Sequence, residues 1–195
     1  MTPAEELALA VVSLRRGEIV AYPTETFYGL AVDAFDELAL ARLRELKGRA
    51  EKAFSVLVVG TEMLAGLVEP PSEKARALME RYWPGALTLA LPAKAGVPAA
   101  LVADGCVAVR ESPHPLARAL VRAFGGPVTA TSANLAGAPP ATTPDEVTAG
   151  LGGRCAVLPG GTTPGGAPST LARVRGNRIE VLRAGAVTIA PELLA

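Results

Sequence analysis

Two short polar triplets stand far apart in this chain, Lys47-Gly48-Arg49 and Ser132-Ala133-Asn134, and both contain side-chain types that handle oxyanions. A lysine acts on phosphate as a point charge, whereas an arginine can clamp two oxygens at once. The plainer alternative for Lys47 and Arg49 is that basic groups at a helix end complement its dipole, by roughly a few tenths of a kcal/mol each. Ser132 and Asn134 follow an apolar run and are spaced to face one side of an extended segment. They suit an α-phosphate or a sugar as donors, or else they build a strand-end turn. Arg110 ends the run Val107-Ala108-Val109, so its guanidinium emerges at a sheet rim. There it either pairs with Glu111 or grips a carboxylate through two parallel bonds.

A third polar segment is Tyr22-Pro23-Thr24-Glu25-Thr26-Phe27-Tyr28-Gly29-Leu30. It follows Glu18-Ile19-Val20-Ala21, which reads as a buried strand bounded by Gly17 and Pro23. Proline cannot continue a central ladder, so the chain is expected to leave the sheet at Pro23. Two hydroxyls and a phenol then stand on an irregular segment at a strand end, where open α/β sheets bind ligands. Taken alone, the segment is equally a turn whose threonines satisfy their own backbone.

The elements that must carry these groups are legible from caps and periodicity. Thr2-Pro3-Ala4-Glu5 supplies an N-cap, a proline at the first helical position and a capping-box glutamate, for a helix that ends at Gly17. Asp36 caps a second helix through Leu46, with Gly48 as its stop. Further helices are predicted from Ser72 to Trp83, over Pro115–Phe124, and after a second capping box at Thr143-Pro144-Asp145-Glu146. Strands are predicted at Phe54–Val59, Leu87–Leu91, Cys106–Arg110, Val128–Thr131, Cys155–Leu158, Thr170–Val174 and Arg178–Leu182, the last two joined by a turn at Gly176-Asn177. Helices and strands alternate early, while the later strands cluster. The fold class is therefore α/β, with α+β as the alternative, built on a twisted mixed sheet with flanking helices. The run 159–166, rich in Gly and Pro, reads as a mobile loop over the site.

Composition bounds the function. At 195 residues and 50% hydrophobic content the chain can bury a substantial core as one domain, and with 4% aromatics that core must be aliphatic. A formal net charge of +0 gives no bulk attraction to nucleic acid or to an anionic membrane. Cys106 and Cys155 lie in apolar runs and read as buried free thiols. The acidic N-terminus is unlike a signal peptide, and no apolar run approaches the ~20 residues that cross a bilayer; a cytoplasmic setting is expected. There is no P-loop, no G-x-G-x-x-G, no H-E-x-x-H and no G-x-S-x-G. With one histidine, His114, and no C-x-x-C, the ligand set of the usual structural zinc sites is missing. His114, flanked by Pro113 and Pro115 at a helix start, reads as a packing or capping residue. Any ATP chemistry must rest on scattered cations and hydroxyls.

The P-T-E-T-x-Y-G-L loop, the K-x-R triplet and the S-x-N triplet, in this order and at these separations, resemble the YrdC/Sua5 family of threonylcarbamoyl-AMP synthases. The likeness extends through Trp83-Pro84-Gly85-Ala86-Leu87-Thr88-Leu89, Val107–Arg110 with Pro113-His114-Pro115, Pro168-Ser169-Thr170, and Leu182-Arg183-Ala184-Gly185-Ala186. It implies a YrdC-like twisted sheet around a large concave groove, here of the single-domain type. The implied reaction joins L-threonine, bicarbonate or CO2, and ATP into threonylcarbamoyl-AMP and pyrophosphate, with Mg²⁺ accompanying the nucleotide. By resemblance Lys47 and Arg49 are catalytic and hold ATP together with Ser132, Asn134 and Arg183. Threonine is implied to contact Thr24, Arg110 and Ser169, with Thr26 and Tyr28 lining the same pocket. The resemblance also implies handover of the product to the tRNA threonylcarbamoyl-transfer machinery, and weak contact with tRNA is a further expectation. Three departures stand out: Ala50 where a proline is usual, no histidine in Val56-Leu57-Val58, and Arg173 where an acidic residue is common. The rival readings are a non-catalytic nucleotide- or RNA-binding relative and a carbamoyl-transfer module of the kind found in hydrogenase-maturation proteins.

Overall fold

The computed structural model describes residues 1–48, 53–176 and 178–194. Arg49 and Ala50, and Asn177 of the expected turn, lie outside the described residues. In chain order the elements are α1 (Pro3–Arg15), β1 (Val20–Pro23), β2 (Tyr28–Ala31), α2 (Glu37–Lys47), β3 (Val56–Leu57), α3 (Thr61–Ala65), α4 (Glu73–Tyr82) and β4 (Leu87–Pro92). After a 3-10 turn at Ala99–Leu101 come β5 (Val102–Ala103), β6 (Cys106–Arg110), α5 (Pro115–Phe124), β7 (Val128–Thr129) and β8 (Thr131–Ser132). The chain continues through α6 (Pro144–Leu151), β9 (Ala156–Val157), β10 (Thr170–Arg175), β11 (Arg178–Arg183) and α7 (Pro191–Leu194).

Two mixed sheets carry the groove. The smaller runs β8-β2-β1-β9; the larger runs β11-β10-β4-β6-β3-β7, with β5 paired to β6. Parallel pairs (β1 with β9, β10 with β4, β3 with β6) sit among antiparallel ones, which is the mixed α/β class expected. The core is aliphatic. Ala10, Val11 and Leu14 of α1 meet Ala117, Leu120 and Val121 of α5 over β1, while Leu40, Leu43 and Leu46 of α2 pack into a larger cluster with the sheets.

Local signals explain most ends. The capping box of α1 is formed, with Thr2 Oγ1 accepting from Glu5 N–H and Glu5 accepting from Thr2 N–H at 2.7 Å. Helix α2 starts on Asp36, which accepts from the N–H groups of Leu38 and Ala39, and stops at Gly48 in the left-handed region (φ 61°), where a Cβ is unfavourable. The second capping box is only half made. Thr143 accepts from Glu146 N–H, but the Glu146 carboxylate turns to Thr142, taking its N–H at 2.6 Å and its hydroxyl at 2.9 Å.

Three expectations change. The first strand starts at Val20 and runs through Pro23, which pairs with Tyr28 at the strand's end; the ladder closes as a hairpin, and Thr24–Phe27 is its loop. The predicted strand Phe54–Val59 shortens to β3, because Phe54 N–H turns aside to Ala100 O while Ser55 O accepts from Ala130 N–H. The predicted strand Val128–Thr131 divides: β7 pairs with β3 in the large sheet and β8 with β2 in the small one. The chain thus crosses between sheets at Ala130, which brings Ser132 opposite Gly29 and next to the hairpin loop.

Candidate functional site

Between the two sheets lies a cavity of about 610 Å³. Its floor is the concave face of the large sheet. Strand alternation puts Cys106, Ala108 and Arg110 of β6 on that face, with Thr88 and Ala90 of β4 and Leu171 and Arg173 of β10 beside them. The registers Ala90↔Ala108 and Arg173↔Ala90 place Thr88, Arg110 and Ser169 towards one end. Small side chains (Ala90, Ala103, Cys106, Ala108) make the rest of the floor. The hairpin loop with Thr24, Thr26 and Tyr28 forms one wall, and Ala130–Ser132 forms another.

At the polar end the groups are coupled. Thr88 Oγ1 and Ser169 Oγ lie 2.8 Å apart. Arg183, at the end of β11, donates twice to the Ser169 carbonyl, at 2.8 and 3.2 Å, and once to its hydroxyl at 3.3 Å. Gly185 makes this crossing feasible: a Cβ there would stand 2.2 Å from Pro168 O. Ala186 N–H pins the crossing to that same carbonyl. Partial burial lowers the pKa of Arg183, and the charge of Arg110 lowers it further, so the two guanidinium groups act on one space.

Arg110 does not pair with Glu111, which instead takes Arg118 at 2.5 Å. Its partner is Glu25 of the hairpin loop, at 2.7 Å, in a largely buried ion pair. Ser112 donates its hydroxyl to the other Glu25 oxygen, and His114 N–H donates to Ser112 Oγ at 3.2 Å. His114 makes no side-chain capping bond; among the described residues its buried Nδ1 has no partner, and burial holds its pKa below the ordinary value, partly offset by Glu25. Thr24 uses its hydroxyl within the loop, donating to Phe27 O at 2.7 Å and lying 3.2 Å from Thr26 Oγ1. Both threonines remain on the cavity wall, so the self-satisfied turn and the ligand wall are one structure.

Lys47 of the K-x-R triplet meets the S-x-N segment at the back of that wall. Lys47 is fully buried, and its ammonium donates to Ser132 O at 2.6 Å, Asn134 O at 2.7 Å and Asn134 Oδ1 at 2.9 Å. Ser132 Oγ donates to the same Oδ1 at 2.6 Å. Among the described residues Lys47 and Asn134 are buried and do not line the cavity; they hold the segment that presents Ser132. The physical reason is charge burial, since an ammonium removed from water needs acceptors on every proton. Seven expected residues do line the cavity: Thr24, Thr26, Tyr28, Arg110, Ser132, Ser169 and Arg183. Glu25, Thr88, Ser112 and Arg173 were missed. Thr88 was recoverable from strand alternation, but the Glu25–Arg110 pairing spans 85 positions and carries no local signal.

The Gly-rich run 159–166 is strapped rather than loose. Tyr28 Oη accepts from Gly160 N–H at 3.0 Å and donates to Gly161 O at 2.8 Å, and Gly165 N–H bonds Thr26 O at 2.7 Å.

The Sua5/YciO/YrdC family model, described as "Telomere recombination", matches residues 12–185. The chain belongs to this family. It is 41% identical over 187 residues to a threonylcarbamoyl-AMP synthase of Bacillus subtilis, covering 94% of this chain and 54% of that protein. A threonylcarbamoyl-AMP synthase of Vibrio cholerae is 37% identical over 190 residues, covering 95% of this chain and 100% of the relative. The solved structure of P. abyssi Sua5 complexed with L-threonine superposes with a TM-score of 0.88 at 34% identity, over 95% of this chain and 55% of that one. This member of the Sua5/YciO/YrdC family thus spans about half the length of the Bacillus and P. abyssi relatives and the whole of the Vibrio one. Among its described residues, no helix is long and apolar enough to cross a membrane.

Proposed function

We propose that the chain is an L-threonylcarbamoyladenylate synthase, a nucleotidyltransferase that forms threonylcarbamoyl-AMP and pyrophosphate from L-threonine, bicarbonate or CO2, and ATP. The product would feed tRNA N6-threonylcarbamoyladenosine formation by handover to the transfer machinery. One observation carries the reading: Arg110 and Arg183 converge beside the hydroxyls of Thr24, Thr26 and Ser169 in one cavity. The similar proteins are named threonylcarbamoyl-AMP synthases, and one neighbour holds L-threonine.

In this reading the threonine carboxylate docks on Arg110, and its hydroxyl meets the Thr24, Thr26 and Ser169 cluster. The neutral amine adds to CO2, and as the N–C bond forms its proton passes to water while one C=O electron pair becomes the carbamate oxyanion. The resulting carbamate oxygen attacks the α-phosphorus, and pyrophosphate leaves with the electron pair of the broken P–O bond. A carbamate oxygen needs no general base. What the site must supply is proximity, exclusion of water and neutralisation of charge. Ser132, Arg183 and Arg49 are assigned to the phosphates. Lys47 and Asn134 act from behind, fixing Ser132. The floor of small residues leaves room for a flat base.

Mg²⁺ would arrive with the triphosphate and neutralise part of its charge. Among the described residues no group of three or more His, Cys, Asp or Glu side chains could hold it. The triphosphate itself would supply phosphate oxygens to the ion, which usually keeps several waters.

The test is pyrophosphate release from ATP with each of L-threonine and bicarbonate omitted in turn. Release is expected only with all three substrates, and near-abolished in Arg49→Ala and Arg183→Ala. ATP cleavage that ignores threonine would refute the assigned reaction, and ATP binding without turnover would favour the non-catalytic relative.

A further inference from the structure

Glu25 is the one residue of the hairpin loop whose charge faces Arg110, and the reaction as derived above gives it no part. Both of its carboxylate oxygens are engaged, Oε1 by Arg110 Nη1 at 2.7 Å and Oε2 by the Ser112 hydroxyl. Ser112 is itself held by the backbone of His114, so the anchor runs from the end of β6 to the start of α5. The side chains of Arg110 and Glu25 are only 7% and 15% exposed. A carboxylate fixed in this way cannot swing out to replace a substrate group. What it does is hold one guanidinium nitrogen, Nη1, and so fix the orientation of the rest of the fork.

The charge count at this end points further. Among the described residues, Arg110 and Arg183 place two positive charges against the ligand space, while Arg173 is drawn off to Asp104 at 3.1 Å. Glu25 cancels one of the two. A single excess positive charge suits the one carboxylate of a zwitterion and leaves its ammonium facing one uncompensated guanidinium rather than two. Two excess charges would suit a dianion, including the inorganic oxyanions present beside any nucleotide.

We propose that Glu25 is a positioning residue that orients Arg110 and, by cancelling one guanidinium charge, makes this end of the cavity select a zwitterionic amino acid over inorganic dianions. This rests on the reading that an amino-acid carboxylate docks on Arg110.

The test is calorimetric titration of sulfate and of L-threonine, separately, into the wild type and Glu25→Gln, with unliganded melting temperatures alongside. Glutamine keeps the length of the side chain and its hydrogen-bonding reach while removing the charge. Sulfate affinity is expected to rise roughly tenfold and threonine affinity to fall by a similar factor, the scale of one partly screened charge interaction. A merely structural role would weaken both ligands together with stability and could not strengthen sulfate. Unchanged or weakened sulfate binding in Glu25→Gln overturns the proposal. Should that variant fail to fold, Ser112→Ala frees one carboxylate oxygen and keeps the charge. It is expected to lose threonine affinity without gaining sulfate affinity, and wild-type threonine affinity there would overturn the positioning role. A wild type that binds sulfate but not threonine would defeat the amino-acid reading, while the sulfate comparison would still decide the charge assignment.

Discussion

Lys47 and Arg110 are both buried cations at the ends of regular elements, and the fold puts them to opposite uses. Lys47 closes α2 and turns its ammonium inward, where among the described residues it meets two carbonyls and a carboxamide of the Ser132–Asn134 segment. Arg110 closes β6 and gives Nη1 to Glu25 while standing on the cavity floor. The difference follows from shape. Three tetrahedral donors on a flexible stem can be saturated by a backbone turn, whereas a planar fork bound along one edge still presents another. One cation therefore builds the wall and the other reads what lies against it.

That contrast is most easily broken at Lys47. Lys47→Met removes at least the three hydrogen bonds to Ser132 and Asn134 and leaves the Asn134 acceptors buried, so a loss of about 3–5 kcal/mol is expected in denaturant unfolding. A small loss would mean that the ammonium is not a structural strut. Next in size is Tyr28→Phe, which leaves Gly160 N–H and Gly161 O without the phenol and is expected to cost about 1–3 kcal/mol. Amide hydrogen exchange should then accelerate across 160–165 while α5 stays protected. Unchanged exchange there would show that the strap is held by other contacts.

The sequence revealed the elements better than their alliances. Caps at Thr2, Asp36 and Ser72 and the stop at Gly48 are local, and the helices begin and end close to them. Arg110 and Ser132 could be placed on a groove because a strand end dictates where its last side chain goes. Lys47 could not be placed, because its acceptors on Ser132 and Asn134 lie 85 and 87 positions away and nothing near Gly48 announces them. The division of Val128–Thr131 between two sheets was equally hidden: four residues of strand-like character do not say which edge each half will meet.

Smaller effects sharpen the comparison. Burial lowers the pKa of His114, so the unfolded chain binds the extra proton first as pH falls. Its contribution to stability is therefore complete above the ordinary histidine value of about 6.5 and declines as pH drops below it towards the lowered folded value. His114→Gln should flatten that part of the stability–pH curve, and an unchanged slope would assign acid sensitivity elsewhere. Arg183→Ala should have the least effect on stability, about 1 kcal/mol, because its bonds to Ser169 are only partly shielded from water. It should nonetheless abolish pyrophosphate release. A large stability loss there would place Arg183 with Lys47 rather than with Arg110.

Equilibrium binding of L-threonine to the wild type and to Arg110→Lys tests the division of labour most directly. The lysine keeps a cation opposite Glu25 but has no second edge. Threonine affinity is therefore expected to fall by roughly tenfold or more, with the melting temperature little changed, because a bidentate grip is lost. Undiminished threonine affinity in Arg110→Lys would contradict the assignment of Arg110 as the residue that holds the amino acid.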